Sequence, residues 1–418
     1  MTTVDVLVVG AGPAGTSAAI WARRAGLDVT LVDRAVAGRD KCCGDGLTAL
    51  ALRELESLGL APQALDSWMT VDAAAVRTPR GRLVRLPLPV GAGQFAAACR
   101  RSELDAALME LAAAAGADLR LGVAFAGFDE AERRPNAKVA VLSDGTRVAA
   151  RFVIAADGVY SGVRKALGIS PPRYRGDWHA FRGYRTAPRT AARTLWVWFE
   201  PDLLPGYAWS FPLGDGRVNF GFGVPRAGGG TLAGSEIAGI WKGLAERPHI
   251  REVLGAGVAE GPARAWPIPA RLGEIEFTRG RALLVGDAAA AADPLTGEGI
   301  GQALQMGRMA AHAIARGGPP HSVAARYTRC AQSEFIADHG LARALSRVLG
   351  HERLAEIALG AVDVSVWTRR QFARWMFEDY PRAAVATPRR WHRGMAQPRG
   401  AYADATPAVA PAAATSPS

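Results

Sequence analysis

The 418 residues exceed the roughly 100–200 of one ordinary core, so more than one folding unit is expected. Hydrophobic residues make up 49% and charged residues 21%, which excludes a disordered chain; no run nears the roughly 18 apolar residues of a membrane span. The net charge of +11 rests almost wholly on arginine, since only Lys41, Lys138, Lys165 and Lys242 are lysines. It fits GC-rich coding or attraction to anionic lipid and phosphate, and no nucleic-acid-binding motif accompanies it.

The sequence runs from Met1-Thr2-Thr3 into Val4-Asp5-Val6-Leu7-Val8-Val9 with no basic lead or cleavage site, so no signal peptide is expected. Cysteines 42, 43, 99 and 330 form neither a CxxC pair nor a His/Cys cluster, and predict no metal site and no disulfide scaffold. A reduced, cytoplasmic setting is expected.

Residues 4–33 read as strand, turn, helix and strand, with Gly10-Ala11-Gly12-Pro13-Ala14-Gly15 at the turn. Gly10 permits the turn, Gly12 lets the backbone approach a pyrophosphate, and Gly15 lets the helix pack on the strand. The helix N-terminus offers free N–H groups to phosphates. Asp33, with Arg34 beside it, ends the second strand as the acceptor expected for an adenosine ribose. The alternative is a strand–helix–strand turn that binds nothing.

Next come Lys41-Cys42-Cys43-Gly44-Asp45-Gly46-Leu47 and a helix expected over 45–60, with Leu47, Leu50, Leu55 and Leu58 on one side. Short extended pieces are expected between Pro79 and Pro89, and a helix over 101–115 that opens on Arg101-Ser102-Glu103-Leu104-Asp105. Strands follow at 118–128, 138–143 and 146–155, the last two joined by Asp144-Gly145. Asp157-Gly158 lies just beyond. Aromatic strands separated by Pro and Gly turns fill 178–224.

The buried strand 282–285 runs into Gly286-Asp287. Asp287 could accept a hydrogen bond from a ribityl hydroxyl, which FAD has and NAD lacks, or could merely cap a helix. Pro294-Leu295-Thr296-Gly297-Glu298-Gly299 then opens a helix over 299–316, at Ile300, whose N-terminal dipole could face a reduced flavin. Helical periodicity continues to about 395, and 401–418 reads as a disordered tail.

Those four stations, in that order, resemble the p-hydroxybenzoate-hydroxylase-like flavoproteins over residues 1–320. The K-x-C-G element at Lys41–Gly44 and the Y-x-W-x-F-P element at Tyr207–Pro212 resemble the geranylgeranyl reductase family, which includes menaquinone side-chain reductases. The resemblance implies an α/β (α+β overall) fold: a Rossmann-like FAD-binding domain with an inserted antiparallel-sheet substrate domain and a C-terminal helical region. The boundaries expected are 1–65, 96–165 and 276–318 for FAD, 66–95 and 166–275 for substrate, and 319–400 for the helices. It also implies reduction of prenyl double bonds in a polyprenyl lipid or isoprenoid quinone. Lys41, Cys43, Gly44, Arg101, Asp157, Gly158, Gly286, Asp287, Pro294, Gly297, Gly299 and Ile300 would then join the glycine turn around FAD. With one dinucleotide fold, NAD(P)H would bind only transiently as electron donor.

The residues agree with that reading. Tyr207, Trp209 and Phe211 share one strand face, and Asn219, Gly221 and Gly223 share a face of the next strand. Aromatics over a glycine floor would make an apolar slot, or else a plain aromatic core. Cys43, with Gly44, is placed nearest flavin and alkene, where a thiol could orient substrate or give a proton; a small buried filler is the other reading. Tyr207 and Trp209 are expected to act there too. Near the end, Trp367, Phe372 and Trp375 oppose Arg369, Arg370 and Arg374 on a helical wheel, either docking peripherally on membrane or packing on the flavin domain. Two rival functions stay open. One is a monooxygenase or halogenase, since Tyr207–Pro212 also resembles the halogenase W-x-W-x-I-P element; the other is a flavin-free lipid-binding module.

Overall fold

The computed structural model describes residues 1–88, 93–132, 134–187, 190–226, 234–377, 382–384, 387–391 and 399–404. From the N-terminus, β1 (Thr2–Val9), α1 (Pro13–Arg24) and β2 (Val29–Asp33) form the first crossover unit. β2 is buried at every residue, the pattern of a parallel strand covered on both faces. Next are β3 (Gly46–Thr48), α2 (Ala49–Leu58), β4 (Met69–Thr70), β5 (Ala73–Arg77), β6 (Leu83–Pro87) and β7 (Ala96–Ala98). The helix expected from 45 starts at Ala49 because 46–48 pair with β7 instead.

The chain goes on through α3 (Arg101–Ala114), β8 (Asp118–Leu121), β9 (Phe125–Phe128), β10 (Lys138–Leu142), β11 (Arg147–Ala155) and α4 (Gly162–Ala166). Then come β12 (Trp178–Thr186), β13 (Leu195–Trp198), β14 (Tyr207–Pro212), β15 (Arg217–Pro225), α5 (Gly234–Leu244), α6 (Pro248–Leu254) and β16 (Ala259–Ile268). The chain returns to the first sheet with β17 (Thr278–Arg279) and β18 (Ala282–Leu284), and continues in α7 (Ile300–Ala315), α8 (Pro320–Leu349), α9 (Glu352–Val362) and α10 (Val366–Phe377).

Three sheets result. The first has the order β17-β18-β11-β1-β2-β8, parallel from β18 to β8, with β10 and β9 added beside β11. The second has the order β16-β12-β15-β14-β13-β5-β6 and is antiparallel except where β13 meets β5. The small third sheet has the order β3-β7-β4. Against the first sheet α7 lies on α1, and Gly307 makes this possible: a Cβ there would meet the Ala14 carbonyl at 2.3 Å. Ser17 Oγ donates to the Leu304 carbonyl at 2.7 Å across the same contact.

The C-terminal helices divide their loyalties. α8, about 45 Å long at 1.5 Å per residue, buries Val323, Tyr327 and Ala331 in the core of the first sheet. α9 and α10 turn the other way, setting Leu359 and Ala373 against Val76, Val84 and Leu86 of β5 and β6. The aromatic helix therefore packs on the second sheet, not on the flavin domain as one reading expected. The tail expectation also shifts: Ala401 is fully buried, exchanges backbone hydrogen bonds with Gln94 at 2.7 and 3.0 Å, and brings Tyr402 edge-on to Trp68. Residues 378–381, 385–386 and 392–395 of the expected helical run and 405–418 of the expected tail lie outside the described residues, as does Pro89. Among the described residues no helix is long and apolar enough to cross a membrane.

A dinucleotide cradle opening into an apolar arm

One cavity of about 810 Å³ touches all the motifs. At its polar end Gly10 (φ +104°) turns the chain so tightly that a Cβ would sit 2.3 Å from the Ala156 carbonyl. At Gly12 a Cβ would find nothing nearer than Arg39 at 3.5 Å, so the space over this residue is open. α1 starts here without a side-chain cap or a first-turn acid, leaving its amides to an anion. Pro13, Ala14, Asp33 and Arg34 complete this wall. The Asp33 carboxylate also shapes the turn, accepting the Ala11 and Ala35 N–H groups at 2.7 and 2.8 Å.

Asp157 and Gly158 line the middle. Asp157 Oδ2 accepts the Val163 N–H at 3.0 Å, while Oδ1 is buried without a partner, and burial pushes this carboxyl's pKa up. An orphaned acceptor on a cavity wall fits a ligand hydroxyl or amide. Asp287 faces the same space and accepts the Lys41 ammonium at 3.0 Å. It does not cap α7, whose N-cap is Gly299. Gly297, Gly299 and Ile300 line the cavity at that helix end, but the Gly301 N–H is already taken by Glu298 at 2.9 Å. The dipole expected to face a flavin is thus partly answered by a half-buried carboxylate on the cavity wall that the sequence reading passed over. Open cradle, unsatisfied acceptor and helix terminus together fit the dinucleotide FAD.

The loop from Lys41 to Gly46 joins this end to the second sheet. Cys43 and Gly44 line the cavity; a Cβ on Gly44 would touch Phe211 at 3.4 Å and Trp209 at 3.6 Å. Cys43 Sγ accepts the Asp45 N–H at 3.4 Å. Burial raises the Cys43 thiol pKa, against the pull of Arg101. Arg101, also on the wall, is itself held by Asp105 through bonds of 2.8 and 2.7 Å. Asn219 binds the loop from β15, donating to the Cys43 carbonyl at 2.8 Å and to Asp45 at 2.7 Å, and accepting Trp209 Nε1 at 3.0 Å.

Strand register sets the aromatic wall: Tyr207 pairs with Gly223, Trp209 with Gly221 and Phe211 with Asn219. Tyr207, Trp209, Phe211 and Gly223 line the cavity. Gly221 does not, and this corrects the glycine floor: a Cβ there would strike the Trp209 indole at 2.5 Å, so the gap is filled by that ring. Asn219 likewise stands behind the wall as a tether. Gly15 serves packing, with a would-be Cβ 1.8 Å from the Gly10 carbonyl, and Gly286 (φ +57°) sits against Ala14 and Ala303. Pro294 is buried behind the loop.

Beyond Phe211 the cavity runs on as an apolar arm. Ala74, Val76, Leu86, Leu195 and Val197 of the second sheet form one side; Leu341, Leu345, Leu359, Phe372 and Trp375 of α8–α10 form the other. Neither the arm's helical side nor the Asp45 tether was foreseen.

The FAD binding domain family matches residues 3–200. The menaquinone reductase of Mycolicibacterium smegmatis is 36% identical, covering 85% of this chain and 87% of that protein. Digeranylgeranylglycerophospholipid reductase 1 of Methanopyrus kandleri is 32% identical over 84% and 92%. In fold, a geranylgeranyl bacteriochlorophyll reductase-like protein of Thermoplasma acidophilum superposes with a TM-score of 0.77 at 23% identity, covering 94% of this chain and all of its own. A flavin-dependent halogenase superposes at 0.69 with 22% identity, over 94% of this chain and 74% of its own, sharing the fold alone. The identity to the named reductases, at 36% and 32% over 85% and 84% of the chain, decides between these neighbours. The chain belongs to the geranylgeranyl reductase family of FAD-dependent oxidoreductases.

Proposed function

We propose that this enzyme saturates carbon–carbon double bonds in the polyprenyl chain of a lipid or isoprenoid quinone. The observation that carries the reading is the continuity of the cavity: a dinucleotide cradle at one end, an apolar arm at the other, and Cys43 and the Tyr207–Phe211 face at their junction. FAD bound in the cradle supplies the hydride for the reduction. The turn at Gly10–Gly15 and the α1 N-terminus would hold its pyrophosphate, Asp33 its ribose, and Asp157 with Asp287 its hydroxyl-bearing linker. Trp209 and Phe211 orient the alkene and exclude water, as reduction of an unactivated double bond demands. About 20 prenyl carbons at roughly 0.8 kcal/mol per buried CH₂ would bind by on the order of 10 kcal/mol after ordering costs, without polar contacts. The donor of electrons would be NAD(P)H, docking transiently, since one dinucleotide turn is present among the described residues.

The mouth of the arm supports a peripheral contact with a bilayer. Val348 lines the cavity and is exposed. Nearby in the chain Ile357, Val364, Val366 and Trp367 are 66–77% exposed, an apolar group that a lipid surface would cover. Anaerobic turnover of a prenylated quinone by the FAD-loaded enzyme, read by mass spectrometry, tests the function; product formed only with oxygen would favour a monooxygenase instead.

A further inference from the structure

Asp293 is buried and folds the turn that leads into α7. Its Oδ1 accepts the Leu295 and Thr296 N–H groups at 2.9 and 2.8 Å and the Thr296 hydroxyl at 3.0 Å. Its backbone closes the same turn: the carbonyl accepts the Gly297 N–H at 2.9 Å, and the N–H donates to the Glu298 carbonyl at 2.7 Å. One residue therefore shapes the stretch whose Gly297, Glu298 and Gly299 line the cradle, while Asp293 stands behind that wall. A buried carboxylate in such a place needs a counter-charge.

The counter-charge comes from 89 residues further along the chain. Arg382 Nη1 donates to Asp293 Oδ2 at 2.7 Å; its side chain is 14% exposed and lines the cavity. The helices of the apolar arm hold it there. Trp375 of α10, itself on the arm's wall, donates its Nε1 hydrogen to the Arg382 carbonyl at 3.0 Å. The next residue, Ala383, donates its N–H to Asp338 Oδ1 of α8 at 2.8 Å, and Arg390 binds the other oxygen of that carboxylate at 3.0 Å. The guanidinium is felt on the cradle wall too. Burial pushes the Glu298 carboxyl's pKa up, against the Gly301 N–H and the charge of Arg382.

We propose that Arg382 is a positioning residue for the flavin: through Asp293 it fixes the turn against which the cofactor lies, and it cancels a carboxylate that would oppose flavin reduction. Negative charge gathers on flavin when it takes two electrons, and an uncompensated anion behind the Pro294–Gly299 turn would resist it. The inference rests on FAD occupying the cradle, and not on which substrate is reduced. It makes the end of the chain part of the flavin site, far outside the residues 3–200 that match the FAD binding domain family.

The test titrates full-length, FAD-free protein with FAD and then measures the midpoint potential of the bound flavin. Arg382→Gln should weaken FAD binding about tenfold. It should also lower the potential by about 30 mV, which corresponds to a further tenfold loss for reduced over oxidised flavin. Arg382→Lys keeps the charge and can make the single bond to Asp293, so affinity should stay within about threefold and the potential unchanged. Joining Arg382→Gln to Asp293→Asn leaves a neutral hydrogen-bonded pair and no buried charge, and should restore both readings. An Arg382→Gln protein with wild-type affinity and potential overturns the proposal, as does a loss that neither lysine nor the double variant repairs. Should Arg382→Gln not fold, a double variant that folds and takes up FAD supports the pairing, and one that stays unfolded overturns it. Neither reading needs a prenyl substrate. A wild type that binds FAD yet leaves a prenylated quinone unreduced therefore defeats the reductive function and leaves the role of Arg382 standing.

Discussion

Gly10 and Gly12 stand two residues apart and make opposite demands. A Cβ at Gly10 collides with backbone and φ is positive, so Gly10→Ala should destabilise the fold by about 1–3 kcal/mol. At Gly12 the space is open and the backbone is extended, so Gly12→Val should leave the melting temperature of the FAD-free protein nearly unchanged while abolishing the flavin absorbance. Thermal melts with and without FAD separate the two; a Gly12→Val protein that stays yellow would contradict the cradle. The glycine turn and Cys43 were legible in the sequence because each motif is compact and its spacing encodes its geometry. The Asp45 tether was not, since Tyr184 and Asn219 lie 139 and 174 residues further along the chain and only folding brings them together. Gly221 shows the converse failure: a glycine in a strand signals close approach, but not whether a ligand or a neighbouring indole does the approaching.

Among the elements, the strands expected at 138–143, 146–155, 178–224 and 282–285 fall close to where alternation and turn residues placed them, the one expected over 118–128 is split into β8 and β9, and β5 and β16 were not expected. The helices after 319 were legible as helices, but not as a wall, because periodicity reports an apolar face and not the surface it meets. α8–α10 close the apolar arm against β5 and β6, and this makes them set its length. Leu345→Trp should lower kcat/KM for a long prenyl chain about 10²-fold, by displacing roughly one isoprene unit, and spare a short one. An equal loss for both lengths would place the chain elsewhere. On the outer side, replacing Ile357 and Trp367 together by serine should reduce flotation with anionic liposomes while kcat on detergent-dispersed substrate is kept. Unchanged flotation would remove this face from membrane contact. The end of the chain escaped composition altogether: Ala401 and Tyr402 dock on Gln94 and Trp68 although Ala-, Pro- and Thr-rich sequence surrounds them.

Across the whole molecule the architecture follows from two different uses of a sheet. The first is parallel, buried on both faces, and ends its strands at the cradle. The second buries one face under α5 and α6, with Trp198, Phe220 and Phe222 in its core, and gives much of the other to the cavity through Tyr207, Trp209, Val76 and Leu86. The loop at Lys41–Gly46 joins the two, with Cys43 on the cavity wall and its carbonyl held by Asn219 of the second sheet. Fold class and cofactor were readable because nucleotide-binding geometry leaves a local signature; an apolar slot was expected at the aromatic strand, but its extension between β5, β6 and α8–α10 was not, because an apolar tunnel has no motif. The central claim is that a long unsaturated hydrocarbon lies in that arm with one double bond at the junction. Its most direct measurement is an anaerobic single turnover in D₂O of the reduced, FAD-loaded enzyme with a polyprenyl quinone, read by mass spectrometry. The account predicts a saturated product carrying solvent deuterium at each reduced bond, added in the prenyl chain and not the quinone ring; recovery of the unsaturated chain, with reducing equivalents retained on the enzyme, would contradict it.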